Sequence, residues 1–433
     1  MQRSDGAVWH AVTQADFYLE GLGHKDPYPR YLMPVSTTAT ADLAAVMAQA
    51  YRIYKDIDQD YADQCLSSAV KAWGALDDVS IWTNPNIDGA GGTPQYPEEH
   101  GYSVDPPGMN MTANYVDTDD SDEIYWAAIE LYLTTGDAQY YDYVEDHLNT
   151  LIFYPSLWPA VAHMASFSYV MGVSDTSDPL RVALANAITV YADLYVQGQD
   201  TTGFGLAMSP GDYYWGSNNV VAQFAYTMIL AHEITGEPAH RELAQDHLNY
   251  ILGANSLNQT FISGVGDQPV IAIFHLPSFH DGIAEVVPGL IPGGPNQFLV
   301  PTDVVLAKLI TSEDPPPAKC YIDSECSFAS NETVILESAS WAFVIGYFYN
   351  HQTECTVGNQ ENRWIGPNTG NWHDSPLNWS RSEIPSICHD VVIPDDKSVT
   401  VTSGLVASCR TLEIEDGGFF DVLTSGVLDV LLG

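Results

Sequence analysis

Through residue 350 the apolar residues recur at helical spacing, and beyond Cys355 they alternate. Leu43, Val46, Met47, Ala50, Tyr51 and Tyr54 follow the i, i+3, i+4, i+7, i+8 series and predict a helix with one apolar face. Trp126, Ile129 and Leu133 predict another, which stops at Thr135-Gly136-Asp137. Val220, Phe224, Met228 and Ala231 predict a third, stopping at Thr235-Gly236-Glu237. Glycine just past the last periodic residue marks a helix end, because left-handed geometry costs glycine little. The recurring Thr-Gly-acid trio predicts a repeated helical hairpin.

Two long stretches break the helical period. Residues 84–110 are rich in Gly and Pro, and residues 264–317 show little helical pattern. The second holds His275, His280, Asp281 and the run Pro288-Gly-Leu-Ile-Pro-Gly-Gly-Pro-Asn296. Loops that long in a compact domain commonly carry function. They are expected to be binding loops over one end of a helical barrel.

The tail reads differently. Asp390-Val-Val-Ile-Pro394 and Ser398-Val-Thr-Val-Thr402 alternate with period two, as do Leu412–Asp421 and Leu423–Val430. These predict rungs of a small parallel β-roll or the strands of a sandwich. The expected organisation is a helical domain over 1–354 and a β-rich accessory module over 355–433, truncated in mid-pattern.

Composition narrows the partners. Among 433 residues, 56 Asp and Glu stand against 14 Lys and Arg, a balance that repels nucleic acid and anionic membranes but not a neutral polysaccharide. No apolar run reaches the length of a membrane span, and the first residues lack the apolar core of a secretory signal. None of the six cysteines forms a CxxC pair, which argues against structural zinc. Cys320 and Cys326 are near enough to staple a loop, and Cys388 with Cys409 could bridge the tail; reduced buried thiols are the alternative.

The candidate chemistry centres on Asn331-Glu332, set in Phe328-Ala-Ser-Asn-Glu-Thr333 ahead of a long apolar run. Glu332 is expected in the first turn of a helix, where a lone carboxyl can act as a proton donor. Segments elsewhere fit with it: Asp5-Gly-Ala-Val-Trp9, Pro34-Val-Ser-Thr-Thr38, Asp122-Glu-Ile-Tyr-Trp126, Tyr213-Tyr-Trp-Gly-Ser-Asn218, Tyr250-Ile-Leu-Gly-Ala-Asn255, Asp281-Gly-Ile283 and Tyr321-Ile-Asp-Ser324. Together and in this order they resemble glycoside hydrolase family 9, the inverting cellulases.

The resemblance implies a mainly α fold, an (α/α)6 barrel followed here by the small all-β module. It implies that Glu332 is the general acid, with a second carboxylate about 6.5–9.5 Å away to activate water. The acid must stay protonated, and Asp323 is expected to help as a nearby like charge. Tyr214 and Trp215 match aromatic residues lining the glucan cleft, with Ser217 and Asn218 shaping that loop. His275 and Phe328 would complete the substrate contacts. Thr118, Asp119, Asp122 and Glu123 match a structural Ca2+ site built from oxygen ligands; helix capping is the plainer reading of the acids.

The chain also departs from that pattern. The water-activating Asp-Ala-Gly-Asp motif is absent, and Asp88-Gly-Ala-Gly91 sits in the wrong place. About three of the twelve barrel helices are missing, and a helical ring closes only by packing its last helix on its first. An upstream segment or a partner chain is expected to supply both. Ile273-Phe-His-Leu276 replaces Pro-His-His-Arg, losing an arginine fork; Phe328 replaces Tyr, and Glu337-Ser-Ala339 replaces Trp-Asn-Ala. Two functions follow. One is hydrolysis of internal β-1,4-glucosidic bonds by a secreted enzyme, weak or absent in the isolated chain. The other is glucan binding by a barrel that has lost its chemistry. A polysaccharide lyase would need a Tyr or His base and would leave Glu332 unexplained. Sequons at Asn110, Asn258, Asn331 and Asn378 matter only in a glycosylating host, and a glycan beside Glu332 conflicts with an open cleft.

Overall fold

The computed structural model describes residues 2–13, 18–32, 35–78, 81, 119–147, 160–199, 203–350, 361–386, 388–424 and 426–430. Two compact units divide the chain, Met1–Ile345 and Gly346–Gly433. The first opens with short antiparallel pairings. β1 (Val8–Trp9) lies against β4 (Val35–Ser36), and β2 (Val12–Thr13) against β3 (Tyr31–Leu32).

Helices in pairs follow. They are α1 (Thr37–Tyr54) and α2 (Gln59–Leu76), α3 (Ser121–Thr135) and α4 (Ala138–His147), α5 (Ala162–Gly172) and α6 (Pro179–Gly198), α7 (Ser217–Thr235) and α8 (Pro238–Ile251). Side-chain oxygens of Ser36, Asp58 and Asp178 cap α1, α2 and α6 by accepting from Ala39, Tyr61 and Arg181 N–H, which satisfies otherwise orphaned amides. Consecutive helices pack: α1 against α2 and α3, α5 against α3 and α6, α7 against α6 and α8. Helix α7 is buried without a break from Ser217 to Ala231, as an inner helix must be.

The two Thr-Gly-acid trios form the same turn. Gly136 and Gly236 adopt φ of 71° and 73°. In each, the threonine hydroxyl donates to the carbonyl four residues back, and the amide two residues on donates to that hydroxyl. The face predicted for α1 is not the buried one, however. Ala41, Ala44, Ala45 and Ala48 are buried, while Val46 and Tyr54 are exposed. Small residues let α1 approach its neighbours closely, so steric fit rather than side-chain size selects the inward face.

After α8 come α9 (Leu276–His280), α10 (Val304–Glu313), α11 (Phe328–Asn331) and α12 (Ile335–Asn350). Helix α10 lies inside the stretch expected to lack helical period. It is local signals that fix it, with Asp303 accepting from Leu306 N–H at its start and Asp314 in left-handed geometry at its end.

The second unit is a parallel roll, not a sandwich. β5 (Glu361–Arg363) and β6 (Thr369–Asn371) pair in parallel with β7 (Asp390–Ile393) and β8 (Ser398–Val401), and β7, β8 and β9 (Val406–Cys409) pair in parallel with β10 (Thr411–Ile414), β11 (Phe419–Val422) and β12 (Val427–Val430). Asp390 faces Thr411, Ser398 faces Phe419 and Val406 faces Val427, so this coil advances by 21 residues. Trp364, Trp372 and Trp379 fill the middle with Val391, Ile393, Val399 and Val401. The expected cysteine bridges are not formed. Cys320 and Cys326 are both thiols, and Cys388 is in a disulfide whereas Cys409 is a buried thiol.

Candidate active site

Glu332 does not sit in the first turn of a helix. It lies between α11 and α12 in extended conformation, φ −67° and ψ 141°. The helix is interrupted because the backbone pairs elsewhere. Phe274 N–H donates to Asn331 C=O at 2.8 Å, Gly293 N–H to Glu332 C=O at 2.8 Å, and Gly294 N–H to Ser330 C=O at 2.9 Å. Buried backbone groups need such partners, and these come from the second of the long stretches expected to bind ligand, residues 264–317.

Buried polar side chains fix the same connector. Asp303, fully buried, accepts from Ala329 N–H at 2.9 Å and Ser327 Oγ at 3.2 Å. Asn331 is fully buried too; its Nδ2 donates to the carbonyls of Ala272 and Ser324, and its Oδ1 accepts from the Tyr321 hydroxyl. Its sequon is therefore inaccessible in the folded protein. Asp323 is spent on positioning: its oxygens accept from Ile271 N–H, Ala272 N–H and Gln259 Nε2 at 2.9–3.0 Å. It ties down the strand that bridges to Glu332 through Phe274. The like-charged neighbour in the structure is Glu337, and the effect runs from Glu332 to it, raising Glu337.

The Glu332 carboxyl is raised above the ordinary carboxylate range, chiefly by burial, and is held back by a hydrogen bond from the Trp215 side chain. Trp215 remains 44 % exposed, with its ring 5.6 Å from Phe328, which in turn lies 6.3 Å from Phe274. An open indole next to a desolvated acid offers a flat apolar face beside a proton donor. His275 enters α9, with its Nδ1 2.9 Å from Ser278 Oγ, and burial lowers its pKa. Tyr214 is half-buried next to Trp215.

Asn218 does not line the site. It is fully buried, and its amide donates to Pro292 C=O at 2.9 Å while its N–H donates to Gly293 C=O at 2.9 Å. Ser217 Oγ likewise donates to Pro295 C=O at 2.7 Å. Both anchor the glycine loop to α7. Glu337, weighed in the sequence only as a departure, turns out to be a buried neighbour of Glu332. Its signal was a lone acid inside an apolar run.

The acids expected to hold calcium lie at the start of α3. Asp119 accepts from Ser121 N–H at 3.1 Å and Asp122 from Val161 N–H at 2.6 Å; Glu123 is buried. Among the described residues no group of three or more His, Cys, Asp or Glu side chains gathers around one point. Thr118 lies outside the described residues, as do the long loop at 84–110 and Asp88–Gly91 within it.

A paired-helix domain with a desolvated carboxyl beneath an exposed tryptophan defines the class, an α/α-barrel protein of the carbohydrate-active kind. Residues 1–345 match the model of glycosyl hydrolase family 9, and the chain belongs to that family. It is 31 % identical over 375 residues to a cellulose 1,4-beta-cellobiosidase of Acetivibrio thermocellus, a match covering 79 % of this chain and 39 % of that protein. It is 30 % identical over 360 residues to a cellodextrinase of Butyrivibrio fibrisolvens, covering 80 % and 61 %. A metagenome-derived family 9 endoglucanase superposes with a TM-score of 0.66 at 30 % identity, covering 80 % of this chain and 59 % of the other. The chain thus spans less than two thirds of the length of these relatives.

Proposed function

We propose that this chain carries the acid half of a β-glucan hydrolase, with Glu332 as the group that protonates the departing glycosidic oxygen. The observation that carries the reading is the Glu332 carboxyl, raised by burial beneath the open ring of Trp215. Leaving-group protonation needs a carboxyl that keeps its proton near working pH. The bond cleaved is an internal β-1,4-glucosidic bond, and the outcome is inversion, with the water-activating carboxylate supplied by a segment or partner outside this sequence. Action on a polysaccharide implies work outside the cell, and among the described residues no helix is long and apolar enough to cross a membrane.

Trp215 and Phe328 would stack on the sugar, with Tyr214 and His275 at its edge. Asp323 and Asn218 contribute by holding the loops, not by touching substrate. A structural Ca2+ at the start of α3 would require Thr118 beside Asp119, Asp122 and Glu123, an oxygen-only set suited to a hard cation. The second reading, a glucan-binding barrel without turnover, draws support from the histidine loop, where Leu276 follows His275 and the imidazole is engaged with Ser278.

The test is hydrolysis of a soluble cellulose derivative by the chain, alone and with the upstream portion of its gene product, beside Glu332→Gln. Loss of activity in the variant supports the acid. Equal rates in variant and parent refute it, and saturable cello-oligosaccharide binding without turnover would favour the second reading.

A further inference from the structure

Glu337 sits in the first turn of α12 and is 5 % exposed, while Ile335 and Leu336 beside it are 89 % and 50 % exposed. That reverses the usual preference, in which isoleucine is buried and glutamate solvated. Its Oε1 rests against two glycines from separate parts of the chain. A Cβ added to Gly216 would come within 3.2 Å of it, and one added to Gly293 within 3.6 Å. Gly216 enters α7 at φ 87°, and Gly293 is the residue that holds the Glu332 carbonyl. The other oxygen, Oε2, is buried with no hydrogen-bond partner.

Among the described residues no cation offsets this carboxyl. The entrance of α7 contributes Ser217, Asn218 and Asn219, and residues 291–296 read Ile-Pro-Gly-Gly-Pro-Asn, so neither element brings a titratable side chain. On its own side it has a hydrogen bond to the Val334 backbone and the charge of Glu332. Ionised, Glu337 would be a buried charge without a counterion beside a second negative group, which is strongly unfavourable. Burial and Glu332 together push it up to about 8. It is too enclosed to touch a sugar.

We propose that Glu337 is a positioning residue of the Glu332 site, a neutral carboxylic acid wedged among Gly216, Gly293 and the Glu332 connector, which stays in place only while it keeps its proton. The proposal rests on the reading of Glu332 as the acid. When Glu337 ionises it must turn toward water, and the clasp between the α7 entrance and the glycine loop loosens with it. The site then fails at alkaline pH for a reason separate from the titration of Glu332 itself.

Glu337→Gln keeps the shape and cannot ionise. A folded-state pKa above the unfolded value of 4.5 means stability is full below 4.5 and is lost progressively as pH rises to about 8. The parent chain should therefore melt at progressively lower temperature than Glu337→Gln between pH 5 and 8, and the gap should level off above that. The alkaline limb should move to higher pH in Glu337→Gln, read in glucan hydrolysis or, without turnover, in cello-oligosaccharide binding by tryptophan fluorescence. A melting difference constant across this range overturns the neutral acid, and an unmoved limb overturns the positioning role. Should Glu337→Gln not fold, infrared spectra of the parent decide: one protonated carboxyl band should vanish with a midpoint near 8, and its absence already at pH 6 overturns the proposal. Failure of the acid reading shows separately, as a Glu332→Gln variant with parental activity.

Discussion

Among the buried glutamates of the helical unit, Glu130 in α3 and Glu337 in α12 have opposite surroundings. Glu130 has Arg52 across the α1–α3 contact, Gln49 Nε2 at 2.6 Å and the Trp126 indole N–H at 2.9 Å. Arg52 also donates to Thr134 Oγ1 at 2.6 Å. Both carboxyl oxygens have donors, so the group serves as a strut between helices. Among the described residues Glu337 has neither cation nor donor for Oε2, and an acidic neighbour in its place. Burial alone therefore does not make a carboxyl functional. What separates a strut from a titrating group is whether the fold supplies positive charge.

The largest expected effect belongs to the acid that lies next to Glu337. Glu332→Gln should lower glucan hydrolysis by about 10²–10⁴-fold, the usual worth of a general acid, while melting stays close to that of the parent. Arg52→Met would convert Glu130 into a carboxyl as deprived as Glu337. It should cost about 3 kcal/mol in denaturant unfolding near neutral pH. Activity that falls in Arg52→Met with stability unchanged would erase the distinction between strut and site.

Trp215→Phe removes the hydrogen bond that holds the Glu332 carboxyl down. The alkaline limb should shift to higher pH, and KM should rise roughly threefold to tenfold through lost aromatic contact. A limb that moves to lower pH would show that Trp215 acts otherwise. The smallest effect is expected from a calcium chelator, which should lower the melting temperature by a few degrees if an ion occupies the start of α3; an unchanged transition removes that proposal.

The hairpin turns were legible because their information is local. A threonine, a glycine and an acid suffice to end a helix, and Gly136 and Gly236 do so through the same hydrogen bonds. The period-two tail likewise announced its strands, although only pairing could reveal a 21-residue coil. The buried face of α1 was misread because spacing marks large apolar residues, whereas the contact with α2 and α3 is made by alanines. The place of Glu332 outside a helix was illegible for a different reason. It is set by amides of Phe274 and Gly293, which lie far away in sequence. Asp323 was expected as a like charge beside Glu332 and Asn218 as part of the cleft loop, yet backbone groups engage both. Glu337 was visible only as an oddity until the glycines around it were in place.

The enclosure of Asn331 bears on how the protein can be produced. Glycan transfer in a eukaryotic secretory pathway acts on the extended chain, before folding hides anything. An oligosaccharide attached there would occupy the nitrogen needed to reach Ala272 and Ser324, and the connector could not assemble. Yeast or insect secretion should therefore yield material defective at the very residue beside the acid, while a bacterial host, which leaves that amide bare, is the route to a native chain.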